Sequence, residues 1–408
     1  MYKNLLFLDV FYHIIDLGKG KVNFIKEFVN IHFCIKIRKN ERLNGMNQSL
    51  IVRGAPQEYE CREGAWNDLE DHLNRRNIQH VLVLHGKVSW EAAKPYFPSL
   101  MNIDTHFVDY GGQCTDERTA ELKQLVEQEQ LDGIIAVGGG KIADLGKAVA
   151  NQCGVPILIL PTLAATCAAY TPLSVMYNKI DGAMDRYDVF PRSNALVLIE
   201  PKVILDSPIE LMIAGIGDTI AKWYEADAMI SQLDIQPIEV EVSAFAAKKC
   251  RDVLLKDSQA ALSAMENKSI NQAFLNVVET NILLGGMVGG FGDDYGRTSG
   301  AHSIHDALTI LPESHHQLHG NKVAYGVLVQ LVIEDKWTEI QKLLPFYRSL
   351  NLPTSLKDMN MELSAADYRR VAERATEAHE TIHFMKEEIT TEVVKNAMIT
   401  LEAAMSDK

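Results

Sequence analysis

The chain has 408 residues, 47% of them hydrophobic and 23% charged, with a formal net charge of −14. That length allows two domains with sizeable cores, and the acidic balance argues against a nucleic-acid partner, whose phosphates need a basic face. The six cysteines, Cys34, Cys61, Cys114, Cys153, Cys167 and Cys250, are scattered with no C-x-x-C pair, so they are expected to be reduced thiols of a cytoplasmic protein. No apolar run is read as approaching the roughly 20 residues of a membrane helix. Leu5–Ile15 is short and interrupted by Asp9, so neither a membrane partner nor a signal peptide is expected.

Residues 1–45 differ from the rest of the chain. They carry eight Lys/Arg against four Asp/Glu, and neither Pro nor Ala. They are expected to form an extension outside the catalytic fold, which then opens at Met46. The run Ser49–Arg53 reads as a strand. Gln79–Leu84 reads as a buried strand, Asp104–Tyr110 as another, and Thr115–Gln130 as an amphipathic helix with Leu122, Leu125 and Val126 on one face. Strand Gly133–Val137, helix Ile142–Asn151, strand Val155–Leu160 and strand Ala195–Ile199 complete an alternation that implies a parallel sheet covered on both faces. After Pro201 helical periods take over: Ile213–Ile230, Glu239–Leu255, Gln272–Gly286, Ala301–Leu311, Val323–Asp335, and further helices to 408. The expected organisation is therefore an extension (1–45), an α/β dinucleotide-binding domain (46–205) and a helical metal-binding domain (206–408).

Two stretches carry chemistry. Gly138, Gly139 and Gly140 follow a strand and precede a helix, so backbone N–H groups can approach a pyrophosphate with no Cβ in the way. The helix points its positive end at the anion, and Lys141 adds a formal charge. The pattern is not the G-x-G-x-x-G of a standard Rossmann turn; a tight turn that simply needs glycine is the plainer alternative. Farther on, five of the chain's 13 histidines fall between His302 and His319. His302 and His305 are i and i+3 on one helical face, and His319 is placed just ahead of a helix starting at Val323. With Asp218 near the start of its own helix, imidazoles and a carboxylate form a ligand set suited to zinc or ferrous iron. His315 and His316 read as loop residues.

Five ordered motifs now support a resemblance: Gly138-Gly-Gly-Lys-Ile-Ala-Asp144, Pro161-Thr-Leu-Ala-Ala-Thr166, Gly215-Ile-Gly-Asp-Thr-Ile-Ala-Lys-Trp-Tyr-Glu225, Ala301-His-Ser-Ile-His305 and His319-Gly-Asn-Lys-Val-Ala-Tyr-Gly326. From about residue 50 onward the chain resembles the iron-containing alcohol dehydrogenase superfamily in its glycerol dehydrogenase branch. Residues 164–178 look most like its hydroxycarboxylate dehydrogenase A subgroup. The resemblance implies an N-terminal α/β nucleotide-binding domain with a parallel sheet, an all-helical C-terminal domain (the dehydroquinate synthase-like, group III alcohol dehydrogenase architecture), an active site in the cleft between them, and homo-oligomers. It implies Asp218, His302 and His319 as metal ligands. It also implies cofactor contacts from Gly138, Gly139, Gly140, Lys141, Asp144, Thr162, Ala165, Thr171, Leu173 and Tyr177, with Tyr170 and Arg297 as further candidates for substrate contact.

Three departures shape the expectation. Iron-dependent members add a histidine four residues after the aspartate; here Lys222 stands there and has no lone pair while protonated. Three ligands with an open position suit catalytic zinc, so zinc is favoured over iron. Where glycerol dehydrogenases carry a polyol-binding aspartate, this chain has Cys167, which neither binds hydroxyls strongly nor repels an anion. A 2-oxo or 2-hydroxy acid of the 2-oxobutanoate or 2-oxoglutarate type then replaces glycerol as the expected small-molecule substrate, with glycerol or another polyol as the alternative. After the Val81–Leu84 strand the sequence is His85-Gly86-Lys87, with no acidic residue to repel a 2′-phosphate and Lys87 placed to bind one. NADP is therefore expected beside or before NAD. His305 is the expected proton relay, and Lys222 and Cys167 complete the candidate catalytic group. A lyase similar to dehydroquinate synthase would need a dense Lys/Arg cluster that the helical half lacks; a non-catalytic nucleotide-binding protein would have no use for a full ligand triad.

Overall fold

The structure is a computed structural model that describes residues 50–180 and 184–406; the expected extension, residues 1–45, lies outside them. Six strands form one parallel sheet: β1 (Tyr59–Cys61), β2 (His80–His85), β3 (Asp104–Asp109), β4 (Gly133–Gly138), β5 (Ile157–Pro161) and β8 (Leu196–Ile199), in the order β1-β8-β5-β4-β2-β3. The central strands GIIAVG and ILILP are buried at every position, as continuous apolar runs covered on both faces must be. One face, with Val81, Val83, Ile135, Val137, Leu158 and Leu160, packs on Trp66, Leu69 and Leu73, the last two from α1 (Leu69–Asn74). The opposite face, with Leu82, Leu84, Ile134, Ala136 and Ile159, packs on α3 (Asp116–Gln128) and α4 (Gly140–Cys153). A short helix α2 (Lys87–Ala93) follows β2. The chain reverses direction across the sheet between β2, whose sequence neighbour β3 lies on one side, and β4 on the other. Ligand crevices of open α/β sheets form at such a point, outside the carboxyl ends of the strands.

Two local expectations need correction. Ser49 lies outside the described residues, and residues 50–53 form no strand. The Arg53 N–H instead donates to the Gly290 carbonyl at 2.8 Å, so this apolar, β-branched run is held by the helical half. The strand that enters the sheet is β1, too short and polar to show a period. An antiparallel hairpin, β6 (Leu173–Tyr177) paired with β7 (Met184–Val189), is also absent from the sequence reading. Its second strand reads Met-Asp-Arg-Tyr-Asp-Val, which has no clean two-residue apolar alternation.

Beyond Ile199 every described element is helical: α5 (Pro201–Leu205), α6 (Ile209–Ile230), α7 (Ile238–Glu266), α8 (Gln272–Glu279), α9 (Gly285–Gly292), α10 (Gly300–Leu308), α11 (His319–Ile333), α12 (Trp337–Ser349), α13 (Ala365–Ala375) and α14 (Thr391–Ser406). A π-helical turn, Thr280–Leu284, joins α8 to α9. The continuous stretch Gln272–Tyr295 is long and apolar enough to cross a membrane, contrary to the expectation that no such run exists. It is mostly buried, and α8 and α9 both pack on α7, which accounts for its composition.

Helices α6, α10 and α11 meet at backbone distance. A Cβ on Gly320 would lie 1.7 Å from the Ala214 carbonyl oxygen, and one on Gly326 would lie 2.3 Å from the Ala301 carbonyl oxygen. Only glycine permits these crossings. Gly320→Ala is therefore expected to destabilise the protein by about 2–3 kcal/mol or more, by forcing α6 and α11 apart. Thermal unfolding checks this, and a melting temperature equal to wild type would remove the account.

Candidate active site

The helix crossings place three side chains together. Asp218 follows Gly217 on α6, His302 follows Ala301 on α10, and His319 immediately precedes Gly320. The structure starts α11 at His319 itself, four residues before the expected start at Val323. The Lys322 N–H donates to the Leu318 carbonyl and closes that first turn. Asp218 Oδ1 lies 3.3 Å from His302 Nε2 and 3.4 Å from His319 Nε2. The three candidate ligand atoms all fall within 4.8 Å of one another.

The donor chemistry fits a divalent cation. Asp218 Oδ1 is buried with no hydrogen-bond partner among the described residues. His302 Nδ1 is 2.7 Å from Glu225 Oε2; with the proton on Nδ1, its Nε2 presents a lone pair toward Asp218. His319 Nδ1 is 2.9 Å from His305 Nε2, and His305 Nδ1 is 2.9 Å from Asp306 Oδ1. If protons sit on the two Nδ1 atoms, His319 Nε2 is also a bare acceptor. Once a cation displaces the His302 Nε2 proton, three acceptors face one point. Two donors held about 2.1 Å from a tetrahedral ion stand about 3.4 Å apart, as these do.

Two orienting residues escaped the sequence reading. Glu225 lies two turns after Asp218 on the same helix. Its Oε1 accepts from the Ser299 and His302 N–H groups at 2.7 and 2.9 Å, while Oε2 takes the His302 ring. Its i, i+7 spacing from Asp218 was the available signal. Asp306 orients His305, and both ring nitrogens of His305 are thereby occupied. Burial, and then the neighbouring His319, push the His305 pKa down to about 4, so it is neutral. The geometry gives His305 the part of aligning His319, with Asp306 on its other ring nitrogen.

The remaining expected residues cluster on the adjoining loops. Gly138 and Pro161 are register partners at the carboxyl ends of β4 and β5. The Thr162 N–H donates to the Gly138 carbonyl at 3.2 Å, which brings the two loops side by side. No side chain caps α4 at Gly139 and Gly140, so its first amides remain available to an anion. The Lys141 ammonium lies 5.1 Å from the centre of the Tyr177 ring, and burial lowers its pKa. Asp144 does not face this opening. Its Oδ1 is 2.9 Å from Lys147 Nζ and its Oδ2 accepts the Val175 N–H. Lys147 in turn donates to the carbonyls of Ala168, Thr171 and Leu173. Asp144 therefore braces the segment carrying Thr171 and Leu173. Asn281, in the π turn, donates to the Ala164 carbonyl at 2.8 Å, which ties the loop containing Ala165 and Cys167 to the helical half. Lys87 is exposed at the start of α2. The Tyr170 hydroxyl donates to the Gly54 carbonyl, and the Arg297 guanidinium is held by Asp293, so both candidates for substrate contact have structural partners. His315 and His316 fall in a 3-10 turn outside the triad, as loop residues should.

The chain is 36% identical to hydroxycarboxylate dehydrogenase A of Escherichia coli (strain K12) over 361 residues, covering 88% of this chain and 98% of that protein. The family profile for iron-containing alcohol dehydrogenase matches residues 56–201. This chain belongs to the iron-containing alcohol dehydrogenase family. Glycerol dehydrogenase of Thermotoga maritima is 34% identical over 86% of this chain and 95% of its own length. The crystal structure of glycerol dehydrogenase from Schizosaccharomyces pombe superposes with a TM-score of 0.78 at 26% identity, covering 88% of this chain and 92% of that one. The chain is thus an oxidoreductase of this family, a dehydrogenase whose members use NAD(H) and a divalent metal.

Proposed function

We propose that this dehydrogenase interconverts a 2-oxo acid and the corresponding 2-hydroxy acid, of the 2-oxobutanoate or 2-oxoglutarate type, by hydride transfer with NADP(H) or NAD(H) and one divalent metal, zinc before iron. The observation that carries the substrate reading is Cys167. It lies on the loop tied to the helical half, and a Cβ on Gly285 would stand 3.4 Å from its own Cβ. Burial raises its thiol pKa, with the charge of Lys222 acting in the opposite sense, so the position is neutral where a carboxylate would bind hydroxyls and repel an anion. The relative named hydroxycarboxylate dehydrogenase A supports this reading; the relatives named glycerol dehydrogenase support a polyol instead.

When bound, the metal supplies a Lewis acid for the substrate oxygen and the nicotinamide supplies the hydride acceptor or donor. The chain's own residues align the reactants. Asp218, His302 and His319 would hold the metal, with Glu225 and the Asp306–His305 pair fixing the two imidazole rings. Lys147 and Asn281 hold the cofactor loop against the helices. Alignment of this kind is worth several kcal/mol when reacting atoms sit within about 3.5 Å. Zinc is favoured because Lys222, four residues after Asp218, offers an ammonium where a fourth ligand would stand. NADP(H) is favoured because the segment His85-Gly86-Lys87 contains no acidic residue and Lys87 is exposed.

The test is a substrate panel of 2-oxobutanoate, 2-oxoglutarate and glycerol, run with each nicotinamide cofactor in both reduced and oxidised form and followed at 340 nm. The expected result is a higher kcat/KM for the oxo acids than for glycerol, and turnover with NADPH at least matching NADH. Glycerol turning over better than both oxo acids would overturn the substrate reading.

A further inference from the structure

Two lysines are buried deep in the fold, and they are provisioned differently. An ammonium brings three N–H donors and no acceptor. Lys147, 2% exposed, has all of them filled by the Asp144 carboxylate and the carbonyls of Ala168, Thr171 and Leu173. Lys222, 9% exposed, has a single hydrogen bond among the described residues, a long one of 3.4 Å to the Arg297 carbonyl. No described carboxylate lies within ion-pair distance of it. Its nearest acidic neighbours serve elsewhere: Asp218 in the triad with the two imidazoles, Glu225 on His302 and the Ser299 N–H. The Arg297 guanidinium is taken by Asp293. A buried cation with open donors is a costly arrangement that native structures avoid unless something else completes it.

The position says what completes it. Lys222 is one turn after Asp218 on α6, so both project from one helical face. A Cβ on Gly285 would meet both the Cys167 Cβ at 3.4 Å and the Thr219 methyl at 3.8 Å, which brings the cofactor loop up to α6 beside Asp218, on the segment that carries Lys222. An anion bonded directly to the carbonyl carbon, with its oxygen at the triad, would arrive beside this group. A polyol brings only neutral hydroxyls, which fill donors without balancing the charge.

We propose that the ammonium of Lys222 receives the substrate carboxylate and so sets the preference for a 2-oxo acid over a neutral ketone or polyol. The inference rests on the oxo-acid reading above. Its test uses the metal-loaded enzyme, wild type, Lys222→Met and Lys222→Arg. Each is assayed with 2-oxobutanoate and with hydroxyacetone, in which a hydroxymethyl group stands where an oxo acid has its carboxylate. Binding of oxamate, an unreactive oxo-acid mimic, to the enzyme with NADH is measured separately by calorimetry. For Lys222→Met the 2-oxobutanoate to hydroxyacetone ratio of kcat/KM should fall at least about 30-fold and oxamate should bind at least about tenfold more weakly, as expected for truncating one partner of a buried charge pair. Lys222→Arg, which keeps the charge but moves its donors, should lose less on both counts. Should Lys222→Met fail to fold, a ratio and oxamate affinity unchanged in Lys222→Arg would overturn the inference. In a folded Lys222→Met protein, the same unchanged values would overturn it directly. A wild-type enzyme with no preference for 2-oxobutanoate over hydroxyacetone would sink the oxo-acid reading itself, whereas a wild-type preference that survives both substitutions would sink only the assignment to Lys222.

Discussion

Asp218→Asn is expected to lower kcat/KM by about three orders of magnitude or more, a loss of about 4 kcal/mol in transition-state stabilisation, and to leave less than about 0.1 metal ion per chain after dialysis. The amide has nearly the shape of the carboxylate, so the crossing of α6 with α11 is preserved. The negative charge is lost, and neither His302 nor His319, which complete the triad, can supply another. Metal analysis by mass spectrometry beside the kinetics makes the two losses separable. A variant that retains one ion per chain and activity within tenfold of wild type would show that the triad is not the metal centre. Without metal, burial opposes ionisation of Asp218, but the two imidazoles and Lys222 hold its pKa well below the usual carboxylate range. Its contribution to stability is therefore present above about pH 4, the unfolded-state pKa, and is lost as pH falls through the depressed folded value.

Glu225→Gln is expected to weaken metal binding by about 10–100-fold and to change its pH dependence. In the metal-free protein, burial works against protonation of His302, but Glu225 and Asp218 carry its pKa up to about 9. Binding a cation at Nε2 must displace that proton, so apparent affinity should rise by about tenfold per pH unit between pH 7 and 9 and then level off. With glutamine at 225 the main cause of the upward shift is gone, and the plateau should begin at least about one unit lower. The same elevated pKa means that His302 stabilises the metal-free fold fully below about pH 6.5, and that this contribution disappears as pH rises through about 9. Competition against a chelator at pH 6, 7, 8 and 9 measures the affinity curve, and thermal unfolding of the metal-free protein measures the stability curve. Superimposable affinity curves for wild type and variant would show that Glu225 does not govern His302.

Much of the fold was legible because its central strands are buried on both faces. Val81–Leu84 and Gly133–Val137 are continuous apolar runs, and the glycines of 138–140 mark where a strand gives way to α4. The misreadings occur where local pattern and tertiary placement disagree. Residues 50–53 have strand-like composition, yet Arg53 bonds to Gly290 in the helical half. The hairpin β6–β7 has a charged second strand and is held from outside, by Lys147 and Asp144 on α4. The start of α11 was set four residues late because His319 and Gly320 look like loop; their helical conformation follows from the closeness of α6, which only a glycine at 320 allows.

The sequence by itself determined the types of chemical group and their grouping: a glycine turn between strand and helix, a concentrated set of histidines, one aspartate in a glycine-containing helix, a lysine one turn beyond it and a cysteine in the intervening loop. Only the tertiary structure decided which of these groups have partners. Asp218 reaches His302 and His319 across 84 and 101 positions of chain because helix backbones touch at Gly320 and Gly326. Asp144 is consumed by Lys147, His305 by Asp306 and His319, and Lys222 is left with donors to spare. Hydrogen-bond saturation is a property of what surrounds an atom in space, and for buried charges far apart in sequence that environment exists only once the helices have packed.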